Sequence, residues 1–370
     1  MRICIVATDG RSLIDFRGKL IQSLQEKGHE VVCVSIEPNE EMRGAIHVLG
    51  ASYEQVAGDR VSISVFGGLR MIRAYVNMFK RVRPDVCLLY MSKPIAFGGI
   101  AAAHNKVPHI NILVNGLENA YYQHGLKDLV VRVVMSTLYR YVSSRSEHVF
   151  MQNIDDRQYF IDHRIAKEQS IVLVNGSGVD MEYYAREPLP DEPVFLMVAR
   201  LLWTKGIREY LEAIPLVKEK CPEARFMLVG GLDQSAEGLS EEELNRCVNE
   251  NDIEYCGFAN DVRPYLKRCS VFVLPSYHEG TPRSVLEAMA TGRAIITTDA
   301  PGCRETVISG QNGYLVSVGN SGALAERMVR LANDADARKL MGQRSYVLCK
   351  ERFEVNKVNQ VMIDGMMEDL

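Results

Sequence analysis

Short apolar runs of four to six residues recur along this chain, separated by longer segments with the length and spacing of amphipathic helices. The runs at 3–7, 31–36, 86–90, 109–114 and 148–152 have the length and composition of buried strands. Residues 13–27 read as a single helix stopped by Gly28. Strands that are apolar throughout, alternating with helices, imply a parallel sheet covered on both faces. The alternation breaks at 186–193, where three prolines and mixed charges predict a linker. It then restarts, with strands expected at 194–199, 225–229, 253–256, 271–274 and 294–297. The pattern predicts an α/β chain of two tandem doubly wound, Rossmann-like domains with a cleft between them. Their expected bounds are 1–187 and 188–353, with a helical tail, 354–370, returning to the first domain.

Composition agrees with that division. A chain of 370 residues is long for one core and comfortable for two of about 180 each. Hydrophobic residues at 47% and charged residues at 24% describe an ordinary globular protein, and a net charge of -4 argues against nucleic-acid binding. The charge is uneven, however. Residues 66–145 hold eleven Lys and Arg against three acids, a local net of +8. Two segments there, 69–83 and 126–141, are apolar and basic at helical spacing. This suits a surface resting on an anionic bilayer, and also two core-packing helices with solvated basic faces. Nine scattered cysteines without a C-x-x-C pair read as reduced thiols of a cytosolic protein. The N-terminus lacks the features of a secretory signal, and no apolar run reaches the roughly 18 residues that would span a bilayer.

Ligands of doubly wound sheets bind beyond the carboxyl ends of the strands, so chemistry is sought in the loops that follow them. The most informative loop is Pro275-Ser276-Tyr277-His278-Glu279-Gly280-Thr281-Pro282-Arg283-Ser284-Val285-Leu286-Glu287. Gly280 and Pro282 shape a turn into a helix expected to begin near Ser284, which places Glu287 in its first turn. Carboxylates at such a position accept hydrogen bonds from sugar hydroxyls, while the helix amides hold an anion. A lone pair of glutamates eight residues apart is more often a dipole complement and a solvated charge, but the loop-to-helix setting favours recognition.

Arg200 and Lys205 share the loop after 194–199. Two cations there suit a diphosphate, whose charge grows as it leaves, and two solvated charges at a turn fit equally well. Gly230, with Gly231, follows 225–229 and permits either close ligand approach or a bare tight turn. The first loop offers Gly10, Arg11 and, beyond it, Arg17, as phosphate partners or as a capping turn with a surface ion pair. It matches neither a dinucleotide nor a phosphate-loop fingerprint. Asn115, Glu118 and Asn119 follow 109–114 and are candidates for sugar hydroxyls. Asp334-Ala335-Asp336 reads as a helix cap instead of a metal site, the eight histidines lack zinc spacing, and no hydrolase elbow occurs.

Four features together resemble the family 4 glycosyltransferases of the two-Rossmann GT-B fold. They are Arg200 with Lys205, the Glu279-to-Glu287 segment, Gly176-Ser177-Gly178-Val179-Asp180, and Gly310-Gln311-Asn312-Gly313-Tyr314-Leu315-Val316. The first domain, with Asp15-Phe16-Arg17 and Asn115-Gly116-Leu117, is most similar to a bacterial subgroup that extends glycans on undecaprenyl-diphosphate carriers, including N-acetylhexosaminyltransferases. The resemblance implies a metal-independent, cofactor-free enzyme that retains anomeric configuration. It would move a hexose or N-acetylhexosamine from a UDP-sugar to a lipid-linked saccharide, peripherally at the inner face of the cell membrane. By position, Arg200 and Lys205 would hold the donor diphosphate, Glu287 the ribose, and Glu279 the transferred sugar. Amides from Gly280 through Thr281, Pro282 and Arg283 to Ser284 would help cradle the donor. Many of that family carry His where this chain has Asn115, which cannot accept a proton at neutral pH but still offers the sugar a hydrogen bond. The Gly-Gly of their first loop is reduced here to Gly10. A soluble-acceptor transferase, a UDP-sugar epimerase and a non-catalytic nucleotide-sugar-binding protein are the competing readings.

Overall fold

The computed structural model describes residues 1–36, 40–58, 65–117, 121, 125–233 and 238–368, with the backbone alone for 40, 41 and 65. The chain divides into two compact units, Met1–Ser177 with Asn356–Leu370, and Gly178–Val355.

The first unit runs β1 (Arg2–Val6), α1 (Gly10–Asp15), α2 (Gly18–Glu26), β2 (Glu30–Ser35), α3 (Glu40–Val48), β3 (Ser52–Gln55), α4 (Val65–Val82) and β4 (Val86–Tyr90). After a π-helical turn at Pro94–Gly98 come α5 (Gly99–His104), β5 (His109–Val114), α6 (Leu126–Ser143), β6 (His148–Met151), α7 (Ile154–Asp162) and β7 (Ile171–Leu173). The strands form one parallel sheet in the order β3-β2-β1-β4-β5-β6-β7. Every residue of β4 and β5 except His109 is buried, as expected of strands covered on both faces. One face packs on α4, α5, α6 and α7 through Tyr75, Phe79, Ala101, Val142 and Phe160. The other packs on α1 and α2 through Leu13, Leu20 and Leu24, and on Met362, Ile363 and Met366 of the terminal helix.

The predicted helix at 13–27 is in fact two. The chain leaves helical geometry at Arg17 (φ -124, ψ -1), whose side chain turns inward, fully buried over the Tyr90 ring at 5.3 Å. Apolar spacing alone did not reveal a buried cation breaking the helix.

The second unit runs β8 (Val194–Val198), α8 (Ile207–Lys220), β9 (Arg225–Val229), α9 (Glu241–Asn251), β10 (Glu254–Tyr255), α10 (Arg263–Arg268), β11 (Val271–Leu274), α11 (Arg283–Ala290), β12 (Ala294–Thr298), β13 (Gly313–Val316), α12 (Ser321–Ala332) and α13 (Ala335–Arg352). The chain ends in α14 (Val355–Met367), which carries the three residues just placed on the first sheet. The second sheet is also parallel, β10-β9-β8-β11-β12-β13. The proline-rich stretch read as a linker lies inside this unit. Arg293 Nη1 donates to Pro188 O (3.0 Å) and Arg338 Nη2 to Asp191 O (2.6 Å), both from buried side chains. Asp334 caps α13 by accepting from the Ala337 N–H at 2.8 Å. Among the described residues no helix is long and apolar enough to cross a membrane.

Strand order reverses between β1 and β4 in the first sheet and between β8 and β11 in the second. A crevice opens at such switch points, beyond the carboxyl ends of the strands.

Candidate functional site

At the second switch point the loops after β8 and β11 lie directly on one another. Gly206 makes this approach possible. It adopts φ 75, and a Cβ there would fall 2.0 Å from Pro275 O. The Tyr277 N–H donates to Thr204 O (2.9 Å), and Ser276 Oγ lies 3.2 Å from the same carbonyl. Lys205 Nζ therefore reaches Glu279 Oε1 at 2.6 Å, and Ser276 Oγ donates to that oxygen at 2.9 Å. Both charged side chains are largely buried, at 21% and 16% of full exposure, so the pair is little screened by solvent.

A third loop fixes the turn from behind. The Glu279 N–H donates to Pro301 O (2.9 Å), and Thr298 Oγ1 donates to Ser276 O. Gly302 lies so close that a Cβ would sit 2.2 Å from Glu279 O. Cys303 stands nearby, but burial and then the charge of Glu279 push its thiol up to about 12, which removes it as a nucleophile.

Beyond this turn the chain enters α11. Its N-cap, Pro282, makes no side-chain cap hydrogen bond. The helix begins at Arg283, which puts Glu287 in the second turn instead of the first. From there the carboxylate reaches back to Arg283 Nε at 3.0 Å and accepts a hydrogen bond from Tyr184. Burial, and then Glu287, drive the Tyr184 phenol far above its usual range, so it stays a donor. A dipole-complement role for Glu287 falls away with this placement, since that effect is confined to the first turn.

The structure brings together Lys205, Glu279 and Gly280, and Arg283 with Glu287. Arg200 stands at the rim, 69% exposed, with Asp233 at 3.4 Å, a pair of little intrinsic strength. Gly230 has a packing reason: a Cβ there would meet Ala199 O at 1.8 Å. Gly10 likewise lies against Ser35 and Met42, where a Cβ would come within 3.0 and 2.8 Å of side-chain atoms.

In the first unit Arg17, offered as a phosphate partner, has a buried side chain. Arg11 forms a solvent-exposed pair with Asp15 at 3.2 Å. Asn115 follows β5, and its Oδ1 is buried with no hydrogen-bond partner among the described residues. Glu118 and Asn119 lie outside the described residues.

Three contributors escaped the sequence reading. Tyr184 supports Glu287 from a segment with no catalytic signature. Ser276 holds Glu279. Glu209, 5% exposed in the first turn of α8, accepts from the Tyr277 hydroxyl at 2.7 Å. Burial and Glu209 push the Tyr277 phenol up to about 12, so it remains protonated at neutral pH. This hydrogen bond ties the loop after β11 to α8. Tyr277→Phe leaves a buried carboxylate without its donor and is expected to destabilise the protein by about 2 kcal/mol. Urea unfolding measures this, and an unchanged midpoint would show that the bond contributes nothing.

Residues 192–334 match the family described as Glycosyl transferases group 1, and residues 2–153 match Glycosyl transferase 4-like. Among curated proteins, the chain is 30% identical over 352 residues to the N,N'-diacetylbacillosaminyl-diphospho-undecaprenol alpha-1,3-N-acetylgalactosaminyltransferase of Campylobacter jejuni, covering 91% of each chain. It is 24% identical to the UDP-Gal:alpha-D-GlcNAc-diphosphoundecaprenol alpha-1,3-galactosyltransferase of Escherichia coli, covering 74% of this chain and 73% of that one. Among solved structures, Anabaena HepE in complex with UDP superposes with a TM-score of 0.79 at 18% identity over 100% of both chains, a likeness of GT-B fold.

Proposed function

Because the chain belongs to the group 1, family 4-like glycosyltransferases, we propose that it transfers a hexose or N-acetylhexosamine from a UDP-sugar to a saccharide carried on a lipid diphosphate, with retention at the anomeric carbon. The donor class and acceptor follow the printed activities of the E. coli and C. jejuni relatives. The observation that carries the reading is the buried Lys205–Glu279 contact at a sheet switch point, beside the uncapped start of α11.

The roles follow from chemistry. Lys205 has three N–H donors, so it can keep Glu279 and still hold a phosphate oxygen. With Arg200 and the first-turn amides of α11 it would stabilise the charge that accumulates on the departing UDP. Glu287, steadied by Tyr184, would accept from the ribose hydroxyls. Glu279 would accept from hydroxyls of the transferred sugar. In a same-face displacement the C1–O bond to the diphosphate breaks as the acceptor oxygen attacks C1. The acceptor's proton passes to the departing phosphate oxygen, so no side-chain base is required. Part of the basic region 66–145 would rest on an anionic membrane at the cytoplasmic face, where the carrier is presented.

Thermal shift tests the donor assignment. A ligand present at 100 times its Kd stabilises the native state by about 2.7 kcal/mol. UDP and UDP-sugars are expected to raise Tm, CMP is not, and Glu287→Ala is expected to abolish the shift. The absence of a shift with any uridine nucleotide would contradict the assignment.

A further inference from the structure

The basic region separates in the fold into two ends with different causes. Lys80 and Arg81 occupy the last turn of α4, and Arg83 follows it at φ 47. Lys106 follows α5 at φ 54. Arg140 is in the last turn of α6, and Arg145, just beyond, donates to Tyr141 O at 3.1 Å. These six cations sit where helices expose their final carbonyls, and the helix dipole accounts for them. Because the helices run antiparallel to the strands they cover, this end is remote from the carboxyl ends of the sheet.

The opposite end differs. Phe66 and Leu69 at the start of α4 are 86% and 60% exposed. On the first half of α6, Leu126, Leu129, Val130, Val133 and Val134 are 45–85% exposed. Their spacing (i, i+3, i+4, i+7, i+8) makes one continuous stripe. The buried residues of α6, Tyr139, Val142 and Ser143, all lie in its second half. Both helices run antiparallel to the strands of one parallel sheet, so the two exposed starts lie toward its carboxyl end. Valine gains little from a helix in water, and such a stripe normally faces a core.

From this placement we propose that the first halves of α4 and α6 form a wedge that enters the interface of an anionic bilayer, apolar side chains inward. This deepens the lipid-linked acceptor reading and rests on it. Charge complementarity selects the occupant. Arg70, Arg73 and Lys127 are exposed beside the apolar residues, and α4 contains no acid. The acid of α6, Asp128, is engaged as a cap, accepting from the Gly125 N–H at 3.2 Å. A basic rim around an apolar stripe is the composition of helices that lie in a headgroup boundary. The six cations at the other end take no part.

Co-sedimentation of the full chain with vesicles of phosphatidylglycerol and phosphatidylcholine tests the wedge. The wild type is expected to sediment and to remain partly bound in high salt, because burial of apolar side chains is not screened. Val130→Asp with Val134→Asp is expected to weaken partition at least about tenfold, and Arg70→Gln with Arg73→Gln by a few-fold, lost in salt. A wild type that stays in the supernatant, or an aspartate variant that binds like the wild type, would overturn the wedge and leave the face to a protein partner. Complete release of the wild type by salt would also overturn it. UDP-induced thermal shift, read on the same samples, keeps the two failures apart: a preserved shift without vesicle binding sinks the wedge alone, and a lost wild-type shift sinks the donor assignment.

Discussion

Replacing Lys205 with alanine is expected to lower kcat by about 10²- to 10³-fold, the range lost when one preorganised donor to a developing anion is removed. The expected size comes from its setting. Lys205 Nζ is held at 2.6 Å from a largely buried carboxylate, on a loop pinned to its neighbour through Thr204. A charge fixed in advance needs no reorganisation as the diphosphate leaves. The variant also leaves Glu279 with the Ser276 hydroxyl in place of a cation, which costs stability. The two consequences separate in a mutant cycle. Lys205→Ala with Glu279→Ala is expected to recover much of the lost stability and none of the lost rate. Unchanged turnover in Lys205→Ala would remove the diphosphate assignment, and strict additivity of the stability changes would deny the coupling.

Gly206→Ala is expected to destabilise the second unit by about 3 kcal/mol, combining the cost of φ 75 in a residue with Cβ and a displaced backbone. For a unit of this size that corresponds to a fall in Tm of roughly 6–12 °C. The Cβ would lie 2.0 Å from Pro275 O, and a carbonyl in a loop tied on both sides cannot move away cheaply. Relief would push the Lys205 loop off the Glu279 loop, so activity should fall with stability. Gly310 supplies the control, since it adopts φ 80 with nothing within 4 Å of a Cβ. Gly310→Ala should cost only the conformational term, about 1–2 kcal/mol. Equal Tm losses in the two variants would show that close approach is not what Gly206 serves.

Much of the architecture was legible because burial writes itself into composition. The central strands of both sheets are mostly apolar, since helices cover both faces, and the positions of Lys205 and Glu279 followed from the rule that ligands lie beyond strand ends. What was not legible depends on a single residue's geometry. The helix break at Arg17 arises from an inward cation stacked on Tyr90. The turn that holds Glu287 depends on α11 starting at Arg283, a shift of one residue from Ser284. The roles of Tyr184, Ser276 and Glu209 are tertiary contacts between segments far apart in sequence. Gly10 and Gly230 were visible as glycines, but only the fold shows neighbouring atoms that explain each without a ligand. The basic bias of 66–145 was also visible, yet composition merges helix-end compensation with the cations beside the α6 stripe.

The central claim is retentive transfer from a UDP-sugar to a lipid-linked saccharide. The most direct test incubates the full chain with UDP-sugars and a polyprenyl-diphosphate-linked saccharide, then reads the anomeric coupling of the new linkage by proton NMR. The account predicts stoichiometric UDP release and a product of the same anomeric configuration as the donor. A product of inverted configuration, or conversion of the donor to its epimer without any transfer, would contradict it.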